Sequence, residues 1–317
     1  MPRLLALVAL LLATPAAAQP AWSPDRPLRL VVSYVPGVGP NIVGRLMAQG
    51  LSRRLGQPVV VENRPGAGGT LGADAVAKAA PDGYTLGAIP AAPIALAPFL
   101  MARLPYAPQP DLTPLGEFAA FASGVLVHPS VPAANLPELR DWLRAQGGRA
   151  TCSGSTIGSL LHITMAVVLR EWGVDCPLIH YVQPSLPDLL AGRTVMGVDN
   201  VSVIQGAVRG GQLRMLAVTA PHRLPAFPDV PALAESMPGF EALSWIALFG
   251  PAGLPEPVAA RLERELRAVA AEPETVQRLE GMGGFVLNGG RVALAERLAR
   301  ETGRWGRVIR ENNIRVE

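Results

Sequence analysis

From Leu28 onward, short runs of β-branched and other apolar residues alternate with longer stretches whose apolar positions recur at helical spacing. Leu28-Arg29-Leu30-Val31-Val32 predicts a strand, and Pro36-Gly37-Val38-Gly39-Pro40 the loop that ends it. From Asn41, a good N-cap, a helix is predicted with Ile42, Leu46, Leu51 and Leu55 on one face and Gly56 as its stop. Strands at 58–61 and 84–89 flank a further helix at 70–80. The pattern breaks over 90–113 and resumes with a strand at 124–127. A second series follows: helix 136–146, strand 149–153, helix 159–172, strand 178–182, helix 185–191, and strands 195–198 and 213–218. Residues 244–250 read as one more apolar strand, and the end of the chain as helical. In the helix at 257–271 a proline opens the first turn, and Leu262, Leu266 and Val269 share a face.

Strands alternating with helices at this pitch imply parallel pairing through right-handed crossovers, hence an α/β fold. The second series implies a second unit. The division expected is a discontinuous first lobe, 24–126 plus 246–317, and a second lobe, 127–245, each a mainly parallel sheet flanked by helices. Ligands of open parallel sheets sit beyond the carboxyl ends of the strands, so the expected site is the cleft between the lobes, with closure as the working motion.

Arg3, the ten-residue apolar run from Leu4 to Ala13, Thr14-Pro15 and Ala16-Ala17-Ala18 have the layout of a secretory leader, residues 1–18, cleaved near Ala18. Ten residues rise only about 15 Å as a helix, half of the roughly 30 Å bilayer core, so a permanent span is disfavoured and a soluble periplasmic product is expected. An oxidising compartment permits a disulfide between Cys152 and Cys176, which neighbouring strands can bring together; the other reading is two small buried apolar side chains. With 28 basic and 25 acidic residues, the net charge of +3 is too small and too scattered for a nucleic-acid footprint. A monomer is expected, and no cofactor.

Two glycine loops stand ahead of predicted helices, where backbone N–H groups and the positive end of the helix dipole can receive a carboxylate. They are Pro36 to Asn41 in the first lobe and Gly154-Ser155-Thr156-Ile157-Gly158-Ser159 in the second. Neutral donors of this kind bind reversibly without a buried counter-charge. The candidate ligand-binding residues are Tyr34, Gly37, Val38, Gly39, Asn41 and Ala91 from the first lobe. From the second they are Ser155, Thr156, Gly158, Ser159, Tyr181 and Asp199. Each has a plainer reading. Glycine loops before helices also serve as simple tight turns, Glu62-Asn63-Arg64 as a loop-organising ion pair, and Asp199-Asn200 as a brace for its turn. Tyr181 either lines the cleft or packs, and a solitary His162 on an apolar helical face reads as a hydrogen-bonded core residue. Catalysis has little support. Cys152 or Ser155 with His162 or His180 and Asp199 supplies triad side-chain types, but no Gly-x-Ser-x-Gly elbow is present. Gly37-Val38-Gly39 lacks the third glycine of a dinucleotide fingerprint, and Gly-x-x-x-x-Gly-Lys and His-Glu-x-x-His are absent.

Several blocks carry a family resemblance: Leu55-Gly56-Gln57-Pro58-Val59-Val60-Val61-Glu62-Asn63-Arg64-Pro65-Gly66-Ala67-Gly68-Gly69, Ala79-Ala80-Pro81-Asp82-Gly83-Tyr84-Thr85-Leu86, Asp199-Asn200, Gly211-Gln212-Leu213-Arg214, Phe227-Pro228-Asp229-Val230-Pro231 and Gly250-Pro251-Ala252-Gly253. In these the chain resembles the solute-binding receptors of tripartite tricarboxylate transporters, the Bug-type extracytoplasmic receptors. The resemblance implies a two-lobed periplasmic-binding-protein fold of type II-like form, no enzymatic activity, and capture of a small organic acid for a membrane permease. It also implies that the two glycine loops pinch the ligand's carboxyl end, partly through water. Departures cluster at the expected cleft. The family's usual Gly-Gly-Thr-Asp is Val38-Gly39-Pro40-Asn41 here, and its Thr-Ser-Gly-Thr is Pro90-Ala91-Ala92-Pro93. Ser-Gly-Asn-Gly-Thr becomes Ser155-Thr156-Ile157-Gly158-Ser159, and Tyr-Lys-Gly-Ser becomes Tyr181-Val182-Gln183-Pro184. Polar groups exchanged for apolar ones suit a solute with one carboxylate-like end and a more apolar body than citrate, such as an aromatic or branched monocarboxylate. The same changes leave open a sensor uncoupled from transport, or a receptor for something uncharged.

Overall fold

The computed structural model describes residues 22–37, 39–155, 157–181, 185–311 and 314. The expected leader and two of the candidate site residues, Val38 and Thr156, lie outside them. In the first unit β1 (Leu28–Val32), α1 (Gly39–Leu55), β2 (Val59–Asn63), α2 (Thr70–Ala77) and β3 (Thr85–Pro90) follow the expected alternation. The three strands pair in parallel, in the order β2-β1-β3. A π-type turn at Ala92–Leu96 and the short α3 (Ala97–Leu100) then lead to β4 (Leu112–Val127). The second unit holds α4 (Leu136–Gln146), β5 (Cys152–Ser155), α5 (Leu160–Trp172), β6 (Leu178–His180), α6 (Leu186–Leu190), β7 (Met196–Asn200), α7 (Val201–Arg209) and β8 (Arg214–Val218). The chain closes with β9 (Leu243–Pro251), α8 (Glu256–Ala270), α9 (Pro273–Gly281), β10 (Gly284–Val286) and α10 (Arg291–Glu311).

β4 joins the two halves of one mixed sheet. Its residues from Leu112 to Ala122 run antiparallel to β9, and those from Ser123 to Val127 antiparallel to β7 and β8. β9 also pairs antiparallel with β3, while β5 pairs in parallel with both β6 and β7. The expected strand at 124–127 is thus the tail of a sixteen-residue strand. Its earlier part escapes pattern reading because it is buried almost throughout, shows no in–out alternation, and intersperses Phe118 and Phe121 with Pro114, Gly116, Ala119, Ala120 and Ala122, which are poor strand formers.

α1 and α8 cover one face of the first half, where Leu30, Val32, Met47, Leu51, Leu262 and Leu266 are fully buried with Phe118 and Leu248. Gly50 permits this approach of the helices, since a Cβ there would lie 2.2 Å from Cγ1 of Val269. A second core starts on the opposite face with Val31 and Ile89 and continues past Ala122 into the second half, to Leu126, Ile163, Met196 and Val198. Continuous apolar packing through the crossing strand makes the two halves one molecule. Cys152 and Cys176 form a disulfide with Cα atoms 5.8 Å apart. This settles the alternative left open by the sequence. The bridge fastens the start of β5 to the segment entering β6.

Candidate functional site

The strand registers locate the site. β3 ends where Pro90 faces Ile246 of β9, and Ile246 faces Ala119 of β4. β4 runs on in the same direction and leaves the first half after Ala122. β7 runs against β4 and ends at Asn200, opposite Ser123; its parallel neighbour β5 ends at Ser155, near the same level. The carboxyl ends of β1 and β3 therefore face the carboxyl ends of β5, β6 and β7 across the point where β4 changes partners. Loops from two sheets converge there, the setting in which parallel α/β proteins place ligands.

On the first-half side, the chain leaving β1 is braced from both flanks. Tyr34 accepts a hydrogen bond at its carbonyl from Nδ2 of Asn63 (2.7 Å), and Glu62 pairs with Arg64 at 2.5 Å and Arg29 at 3.2 Å. Glu62-Asn63-Arg64 is accordingly a loop organiser. Gly72 packs so tightly beneath Ser33 that a Cβ would meet its Cα at 2.8 Å. Gly37 takes a positive φ of 86°, which few other residues adopt. Its N–H donates to Oδ1 of Asn41 at 3.2 Å, and Gly39 opens α1. Asn41 is thus the third residue of α1 and not its N-cap: the helix starts two residues earlier, and the side chain closes the loop from inside the first turn. Nε of Arg45, one turn further on, donates to the same oxygen at 3.2 Å. That guanidinium stands outside the cradle of neutral donors that the sequence predicts; the Asn41-to-Arg45 spacing of four is the signal for it. Ala91 is buried and brings no polar side chain.

On the second-half side, Ser155 ends β5 with a φ of 54°, unusual for a residue with a side chain. Gly158, with φ 77°, donates its N–H to Nδ1 of His162 at 3.0 Å, so this expected ligand donor is already engaged. Ser159 is the N-cap of α5, its hydroxyl accepting the His162 N–H at 3.2 Å. The amides left to an anion are those at the very start of α5. His162 is 7% exposed and stacks edge-to-face on His180, with ring centroids 4.7 Å apart. Tyr181 is half-buried and donates its hydroxyl to Asp188 at 3.0 Å. Asp199 accepts the N–H of Asn200 at 2.7 Å, and burial pushes its carboxyl above the ordinary range. Asn200 is tied in turn to the hydroxyl of Ser123.

Four of the exposed large apolar side chains belong to these converging segments: Val35 and Ile42 on one side, Ile157 and Ile179 on the other, 40–48% exposed. Hollows elsewhere differ in kind. One of about 540 Å³ lies against α2 beside Arg64, Leu71 and Lys78, and one of about 560 Å³ against α8 beside Glu263, Arg264 and Arg267. Their charges are largely neutralised locally, as in Lys78 with Asp74 and Glu263 with Arg291. Among the described residues no group of His, Cys, Asp and Glu is arranged to hold a metal, and no helix is long and apolar enough to cross a membrane.

Residues 43–314 match the model of the tripartite tricarboxylate transporter family receptor. Protein BugT of Bordetella pertussis is 31% identical over 324 residues, covering 100% of this chain and 99% of that one. The solved structure of the periplasmic binding protein BugD aligns with a TM-score of 0.75 and 29% identity, over 92% of this chain and 100% of that one. MatC from Rhodopseudomonas palustris with bound malate gives 0.74 and 30%, over 90% and 99%. R. palustris Rpa4515 with adipate gives 0.78 and 28%, over 92% and 99%. The fold is the two-lobed α/β architecture of these periplasmic binding proteins.

Proposed function

This chain belongs to the tripartite tricarboxylate transporter receptor family, and from that premise we propose that it captures one small organic acid between its lobes and presents it to a tripartite-type membrane permease. The lobes are taken as 24–126 plus 246–317 and 127–245, hinged at the strands that join them. The chain works in the periplasm after removal of a leader near Ala18. The acid's carboxylate is gripped by amides at the starts of α1 and α5, which offer oriented donors and the positive ends of two dipoles. Malate and adipate in the two R. palustris relatives agree with a carboxylate ligand.

The reading is of a binding site without catalysis. The one observation that carries the choice of solute is the set Val35, Ile42, Ile157 and Ile179, left exposed on the segments that converge from the two sides. Apolar side chains exposed at a cleft gain by covering an apolar ligand body, at about 25 cal/mol per Å². Hydroxyl or second carboxylate groups lying against them would lose water without regaining hydrogen bonds. The solute therefore has one carboxylate and a body more apolar than citrate, an aromatic or branched monocarboxylate.

A thermal-shift screen tests this. An acid present at a hundred times its Kd adds about 2.7 kcal/mol to the folded state, several degrees in Tm for a chain of this size. Benzoate-like or branched monocarboxylates are expected to give that shift. Stabilisation by tricarboxylates alone would contradict the reading.

A further inference from the structure

The start of α1 holds more positive character than its backbone amides supply. Oδ1 of Asn41 accepts two hydrogen bonds, from the Gly37 N–H and from Nε of Arg45, each at 3.2 Å. Two donors on one atom fix the orientation of the amide, so the other end of the side chain is the donor Nδ2. Asn41 is 1% exposed, and its Nδ2 has no partner among the described residues. A buried donor left without an acceptor is costly unless something else supplies one.

Arg45 completes the arrangement. Side chains on a helix lean toward its N-terminus, so a residue in the second turn lies over the first. Its bond to Asn41 holds the guanidinium in that direction and uses only Nε. No carboxylate of the described residues lies within 4.0 Å of Arg45, whereas neighbouring Arg53 and Arg54 on the same helix are paired with Glu272 and Glu265. Arg45 is exposed, and among the described residues no hydrogen bond or ion pair engages its two terminal nitrogens, which leaves them to a partner from outside the chain. Amides, a buried carboxamide N–H and an uncompensated guanidinium at one helix start are all donors, and they suit an oxyanion.

We propose that Arg45 is the charge-reading residue of the site: its guanidinium end, aimed by Asn41, pairs with the solute's carboxylate and sets the preference for an ionised acid over a neutral isostere. The inference rests on the receptor reading above and deepens it, replacing a cradle of neutral donors with one that carries a fixed cation. An Arg–carboxylate pair is a charge-assisted contact, stronger than an amide bond alone and available in two-pronged geometry.

The test compares acids with their own amides: benzoate with benzamide, 4-methylpentanoate with 4-methylpentanamide, and malate and adipate with their diamides. Binding is measured by titration calorimetry on the wild-type chain and on Arg45→Gln, Arg45→Lys and Asn41→Asp. For an acid that binds, the wild type is expected to prefer it over the amide by at least tenfold. Arg45→Gln should bring that ratio to within about threefold of unity. Arg45→Lys should restore part of the preference, since the charge returns without the aiming bond. Asn41→Asp should weaken acid binding, because an internal carboxylate then neutralises Arg45. Arg45 is exposed, and melting curves on each variant show whether the fold is kept. An acid-to-amide ratio unchanged in Arg45→Gln would overturn the role of Arg45 and leave the receptor reading standing. A wild-type chain that binds none of the carboxylates would overturn both.

Discussion

The backbone N–H of Gly158 donates to Nδ1 of His162, 3.0 Å away, and so ties the loop after β5 to the helix that follows it. The bond requires an unprotonated Nδ1, hence a neutral ring. Burial, and then the nearby His180, hold the His162 pKa down to about 4, from an ordinary value of 6.5. Because the unfolded chain binds this proton more tightly, stability is full above pH 6.5 and falls as pH drops from about 6.5 to about 4. The loss approaches, on the order of, 3 kcal/mol for a shift of this size. Urea unfolding across that window should show the slope, and His162→Asn, whose Oδ1 can accept from Gly158 without titrating, should flatten it. A variant with the wild-type slope would assign the effect elsewhere.

The disulfide joins residues 24 apart in sequence, and closing a loop of that length removes unfolded-state entropy worth about 3 kcal/mol. Reduction, or the double change Cys152→Ala with Cys176→Ala, should therefore lower Tm by several degrees. It should also weaken acid binding, since β5 carries the second-half loop. Equal melting curves with and without reductant, with free thiols verified by mass, would show that packing alone holds these strands.

What was readable in the sequence was whatever a local pattern writes. Leu46, Leu51 and Leu55 spell out α1, although Ile42, expected on their face, is exposed and Asn41 is not the N-cap, and the order of strands and helices announces an α/β fold. Long-range relationships were not readable. The run from Leu115 to Ser123 is a strand because β9 and β10 lie against it, not because Ala119, Ala120 and Ala122 favour extended backbone. Tyr181, which on the sequence either lines the cleft or packs, gives its hydroxyl to Asp188, seven residues on. Gly158 points its N–H at His162. The cradles could be located from glycines, yet which of their donors stay free depends on contacts no spacing rule reports.

Arg297 is nearly buried and meets three carboxylates: Glu117 through a short contact, Glu241 at 3.0 Å and Glu301 at 3.3 Å. Glu301 also accepts from the indole of Trp245 at 2.7 Å, so this cluster ties α10 to β4 and β9. Replacing Arg297 takes from Glu117 and Glu301 the guanidinium that pairs them, while Arg304 nearby is bound to the carbonyl of Glu241. Arg297→Met should cost about 3–5 kcal/mol of unfolding free energy, and adding Glu117→Leu should return part of it. Chemical denaturation of the single and double variants measures both. A single variant within 1 kcal/mol of wild type, in the range of an exposed pair, would mean that water reaches the cluster.

A single carboxylate held between the lobes is the centre of the proposed function, and native mass spectrometry of the protein purified from the periplasm of its producing cell addresses it most directly. One acid per chain is predicted, with a mass and fragmentation that fit one carboxylate on an aromatic or branched hydrocarbon body, released when Arg45→Gln is isolated in parallel. A chain that retains a tricarboxylate, or one whose mass stays that of the bare polypeptide with every carboxylate added back, would contradict it.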